Sequence, residues 1–149
     1  MHRFIKDYVL KGKAVVETAM TTGTGGTYSL TATQASLCAA EQGAYWEMSD
    51  ELFRLSRSMG VETAYSLTQI KESADDMGLD SKKLADCVLS QRYTSIIQSY
   101  QIFAADQGVT GTPALLVRYG DSQEWQVLDS TQRTYENMKI LVEGANPLE

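Results

Sequence analysis

Histidine is almost missing from this chain of 149 residues: the single copy is His2, at a terminus of the kind that frays. A Ser-His-Asp triad or a catalytic Cys-His pair therefore has no dependable base. Cysteine is scarce as well, with two copies, Cys38 and Cys87, far apart along the chain. A zinc site wants three or four clustered Cys, His or carboxylate ligands, so no metal and no cofactor is expected. Long apolar runs are lacking: none exceeds a few residues, against the ~20 that cross a bilayer. No basic segment followed by an apolar one opens the chain, so no signal peptide is expected in it. Basic residues are outnumbered, 13 Lys+Arg to 19 Asp+Glu, for a net charge of −6. The pI is near 4.8. Such a surface repels phosphate backbones, and nucleic acid is not an expected partner.

What is present is ordinary for a globular domain. Hydrophobic residues make up 43% and charged residues 21%, and the length suits one domain. Residues 2–11 place Phe4, Ile5, Tyr8 and Val9 on one helical face, with Gly12 as a stop. Residues 14–20 (AVVETAM) are short and β-rich, and read as a strand. Residues 21–29 read as a flexible loop. From about 31 to 107 the signal is helical: a helix over 31–42, then one over 44–59 with Tyr45, Met48, Leu52, Leu55 and Met59 at helical spacing. A third carries Leu67, Ile70, Ala74 and Met77 up to Gly78. Asp80 is placed to cap a fourth with Leu84, Cys87 and Val88. A fifth carries Tyr93, Ile96, Ile97, Tyr100 and Phe103, ending at Gly108. Two strands follow, 114–119 and 124–128, joined by a turn at 120–123. A last helix covers 131–143, and Leu148-Glu149 reads as a cloning-site remnant. The order suggests an α/β scaffold with a helical subdomain built into it.

Four local features invite a functional reading, and each has a plainer one. Gly23-Thr24-Gly25-Gly26 lies between a strand and a helix, but Tyr28 stands where a G-x-G-x-x-G needs its third glycine. The expected helix starts too late to aim its N-terminus at a pyrophosphate, so a plain loop is the better reading and a nucleotide-binding protein a remote one. Glu47, Asp50 and Glu51 are a solvated helix face before they are an acidic site. The adjacent Asp75 and Asp76 do not face each other on a helix. Thr110-Gly111-Thr112-Pro113 directly precedes a β-rich run, where a proline marks a strand entrance or a special turn. On local sequence alone its peptide bond is trans, as ~95% of X-Pro bonds are.

Read together, four stretches resemble the DsbA-like branch of the thioredoxin superfamily over about residues 4–143. They are Tyr8 to Val15 (YVLKGKAV), the ASLCAAEQGAYWEM run from Ala35 to Met48 continuing to Leu52-Phe53, LADCVL from Leu84 to Leu89 followed by Tyr93, and GVTGTP from Gly108 to Pro113. The resemblance implies one thioredoxin-like domain over 1–149 with a helical insertion at about 31–107. It implies a cis bond at Thr112–Pro113, and a groove bordered by Gly111, Thr112 and Pro113 that takes an extended cysteine-containing polypeptide. It also implies an extracytoplasmic thiol-disulfide oxidoreductase. Some exported members staple the helical block with a second disulfide between similarly placed cysteines, which makes Cys38 and Cys87 a candidate structural bridge; the plainer reading is two buried free thiols.

The family acts through Cys-x-x-Cys at a helix N-terminus, where one thiol pKa is depressed. No such motif occurs here; counting back from Tyr8, it would fall before Met1. Cys38 and Cys87 are no substitutes, so no catalytic residue is assigned and the chain alone is expected to be inactive. The strand that precedes the motif in the family would lie between 14–20 and the hairpin, so the sheet is expected to lack its N-terminal strand. Upstream residues of a longer parent, closure of 14–20 onto 114–119, or a strand from a second copy in a homodimer would each answer the gap. A non-catalytic thioredoxin-fold module that binds peptides or a partner remains the alternative function.

Overall fold

The computed structural model describes residues 2–22, 26–122 and 124–147. Gly23, Thr24 and Gly25 of the glycine-rich stretch, Gln123 of the turn, and Leu148-Glu149 lie outside the described residues. The chain divides into two compact units, one comprising Ala19–Ala104 and the other Met1–Thr18 with Ala105–Glu149.

The first unit is helical. Helices α2 (Gly26–Ala40), α3 (Tyr45–Ala64), α4 (Leu67–Asp76) and α5 (Ser81–Ser90) surround one core, and α6 (Thr94–Asp106) follows. Small buried residues on α2, Ala35, Ser36 and Ala39, let neighbouring backbones approach. The core around them is filled by Met48, Leu52, Leu55, Ile70, Leu84 and Val88, the residues whose spacing marked the helices. Gly43, with φ of +79°, ends α2 in a Schellman-type turn: the Ala44 N–H donates to the Ala39 carbonyl at 3.0 Å. Gly60 takes a non-helical conformation inside α3, so the regular helix breaks next to Met59, where the periodicity ended. Ser66 caps α4 and Asp80 caps α5, each accepting from a backbone N–H three residues on. Gln34, 1% exposed, is satisfied by the Thr94 hydroxyl at 3.1 Å and the Tyr93 N–H at 3.3 Å.

In the second unit, α1 (His2–Phe4) runs into a π-helical turn (Ile5–Val9) instead of one regular helix over 2–11. From that turn the Tyr8 hydroxyl donates to Glu143 at 2.9 Å, and Asp7 accepts from the Tyr135 hydroxyl at 2.6 Å. Two consecutive residues thus both engage α7 (Tyr135–Ala145). Strands β1 (Leu115–Val117) and β2 (Gln126–Leu128) pair antiparallel with Leu115 opposite Leu128 and Val117 opposite Gln126, each shorter than expected.

Three sequence expectations need correction. Residues 14–20 form no strand, and they share no sheet with 114–128; the only sheet among the described residues is β1–β2. Their exposure still alternates, with Val15 and Glu17 out and Ala14 and Val16 half-buried. That is a strand's pattern without its ladder, because a strand requires a hydrogen-bonding neighbour and β propensity cannot provide one. Closure of 14–20 onto β1 therefore does not occur. Lastly, α2 begins at Gly26, five residues before the expected start and inside the expected loop, since Gly26, Thr27, Tyr28 and Ser29 carry no helix-breaking proline and extend the helix that the core already holds.

Candidate functional site

Gly108, with φ of +69°, closes α6 and turns the chain toward β1. Gly111, Thr112 and Pro113 are then all exposed, and the Thr112–Pro113 peptide bond is cis. The loop is held from below by Arg133. Its Nη1 donates to the Pro113 carbonyl and its Nε to the Leu128 carbonyl at 2.9 Å, so one planar guanidinium ties the loop to the end of β2. A turn built on Asp129 sets up Arg133. Its Oδ1 accepts from the Thr131 hydroxyl at 2.6 Å, the Thr131 N–H at 2.7 Å and the Gln132 N–H at 3.0 Å. Those bonds, the Thr131 hydroxyl first, hold the Asp129 carboxyl below its ordinary value. Sequence reasoning missed Arg133, since no local motif marks an arginine whose partners lie five and twenty residues back.

Cys38 and Cys87 form a disulfide with a Cα–Cα distance of 5.9 Å, joining α2 to α5. Both are 1% exposed. With both sulfurs bonded and buried, neither supplies a thiolate for exchange. Glu41 lies against the bridge, its Oε1 3.6 Å from the Cys87 sulfur. The Tyr93 hydroxyl donates to that same oxygen at 2.7 Å, and an Arg92 nitrogen lies 3.5 Å from it. Burial, then the bond to Glu41, pushes the Tyr93 hydroxyl above its ordinary value. The cis-proline loop and the disulfide fall in different compact units.

The remaining candidates gain no chemistry. Arg54 grips Glu51 through two bonds of 2.7 and 2.6 Å, which holds the Glu51 carboxyl low. No group of three or more His, Cys, Asp or Glu able to hold a metal ion occurs among the described residues. No helix among them is long and apolar enough to cross a membrane. A cleft of about 230 Å³ near the start of α2 is lined by Thr22, Thr27, Leu30, Ile97 and Gln101; the Gln101 amide already donates to the Thr22 hydroxyl.

In chain order the helical unit is followed by the proline loop, the β1–β2 hairpin and α7. The family described as the DSBA-like thioredoxin domain matches residues 13–136, most of the chain, and the chain belongs to that family. Its fold is accordingly α/β and thioredoxin-like, and its family is one of thiol-disulfide oxidoreductases. No curated protein and no solved structure matches it.

Proposed function

We propose that this chain is a DsbA-like thiol-disulfide oxidoreductase unit whose exchange thiol is not among its 149 residues. Gly111, Thr112 and Pro113 form the border at which an extended cysteine-containing polypeptide docks. The observation that carries this reading is the exposed Gly111-Thr112-Pro113 loop clamped by Arg133, set within a family match that spans it. Pro113 has no N–H to give, so the polar backbone offered to a peptide is that of Thr112. In this reading 1–149 is one thioredoxin-like domain and the helical unit is an insertion within it. Its setting is extracytoplasmic, an oxidising compartment in which a bridge such as Cys38–Cys87 persists.

The test is an amide-resolved titration with an extended cysteine-containing peptide and with its serine analogue. Shifts at Gly111, Thr112 and Ala114 for both peptides are the expected result. Shifts confined to other positions, or none at saturating peptide, would remove the groove from the proposal.

One observation favours a second reading, a non-catalytic peptide- or partner-binding module: the chain's two cysteines are bonded to each other. Peptide binding without any exchange turnover is its signature. The free edge of β1, which pairs with β2 alone among the described residues, is also where a second copy can add a strand to make a homodimer. Sedimentation across a hundredfold concentration range should show reversible dimerisation, and a lysine at Leu116 should abolish it.

A further inference from the structure

We propose that Glu41 is an electrostatic guard of the Cys38–Cys87 bridge, slowing its reduction by anionic thiolates and making the bridge selective among small thiols by their charge. The carboxylate lies 3.6 Å from the Cys87 sulfur, fixed there by the Tyr93 hydroxyl at 2.7 Å. Reduction begins when a thiolate RS⁻ attacks one sulfur of the bridge. If it attacks Cys38, the S–S bond breaks, RS–S(Cys38) forms, and the Cys87 sulfur leaves as a thiolate beside the Glu41 carboxylate. If it attacks Cys87, the incoming anion itself meets that carboxylate. Either way a second negative charge develops close to the first, and like charges at this separation repel. A second RS⁻ then attacks the thiol-derived sulfur of the mixed disulfide, releasing RSSR and the remaining protein thiolate; both thiolates take protons from the buffer. Leaving-group basicity and access govern such rates, and Glu41 acts on both.

Arg92, with a nitrogen 3.5 Å from the same carboxylate oxygen, partly offsets the field. Its removal strengthens the guard, whereas removal of Glu41 abolishes it. Tyr93 fixes Glu41 without adding charge. These opposed signs separate an electrostatic role from a structural one, since loosening the helices speeds reduction by every thiol alike.

The experiment measures reduction rates of the folded chain with three thiols. Cysteamine reacts as a thiolate with a cationic amine, mercaptoethanol as a monoanion, and mercaptoethanesulfonate as a dianion, each rate being normalised to an unstructured reference disulfide. Wild type should prefer cysteamine to mercaptoethanesulfonate by roughly five- to tenfold. Glu41→Gln should collapse that preference to within about twofold, Tyr93→Phe, which releases the carboxylate from its place, should weaken it, and Arg92→Gln should widen it. Glu72→Gln removes the same charge from exposed α4 and should leave the preference intact. Salt should erode the preference in wild type and not in Glu41→Gln. The proposal is overturned if Glu41→Gln and Glu72→Gln behave alike. It is equally overturned if reduction is independent of thiol identity, which would mean that the bridge is reached only through unfolding.

Discussion

Asp7 accepts the Tyr135 hydroxyl at 2.6 Å, and Arg3 lies 3.6 Å from the same carboxylate. The hydroxyl bond first, and the Arg3 charge after it, hold the Asp7 carboxyl below its ordinary value of 3.8. A carboxyl held low in the folded state contributes stability that is present above its unfolded pKa and lost as the pH falls through the folded value. Tyr135→Phe should therefore lower the urea midpoint near neutral pH, and its deficit against wild type should shrink under strongly acidic conditions. A pH-independent deficit would assign the loss to packing of the ring, over which Arg3 sits at 3.8 Å. The bridge is the other residue-scale determinant. It closes a loop with a sequence separation of 49, for which the chain-entropy account gives about 4 kcal/mol as an upper figure. Free-thiol titration of unfolded, unreduced protein should find none, and reduction should lower the melting temperature by roughly ten degrees.

Among the elements, α5 has the most testable start. The Asp80 carboxylate accepts from the Lys83 N–H at 2.8 Å. The Asp80 backbone also exchanges bonds with the Gln42 amide, at 2.8 and 3.2 Å, so the end of α2 and the start of α5 share one clamp. Asp80→Ala should cost about 1 kcal/mol of stability and Asp80→Gly only a few tenths, because a glycine leaves the unpaired N–H groups of the first turn open to water. No loss in either variant would place the stabilisation in the Gln42 bonds, which both variants keep. The cap was legible from Asp80 standing just ahead of an apolar-periodic run. The clamp was not, since nothing local to Gln42 says that its amide meets a backbone 38 residues away.

At the scale of the whole molecule, the prediction concerns turnover. Exchange requires an accessible thiolate, and the cysteines of this chain are buried and bonded to each other. Purified protein of this sequence should neither reduce insulin with dithiothreitol nor oxidise a thiol peptide above background. Turnover that disappears when Cys38 or Cys87 becomes serine would overturn the assignment of the bridge as a staple.

Helix identity, the stops at Gly78 and Gly108, the cap at Asp80 and the family itself were legible in the sequence by itself, because each depends on neighbours within a turn or two or on a run of residues quoted in order. That 14–20 forms no strand was not, because pairing is a property of two segments, and among the described residues only β1 and β2 find each other. Nor could local sequence decide the joining of Cys38 to Cys87, the Arg133 clamp beneath Pro113, or the carboxylate of Glu41 beside a sulfur 46 residues away. Spacing along the chain determines which face a side chain takes. Only the packing of α2 against α5, and of the hairpin against the turn that follows it, determines what that face meets.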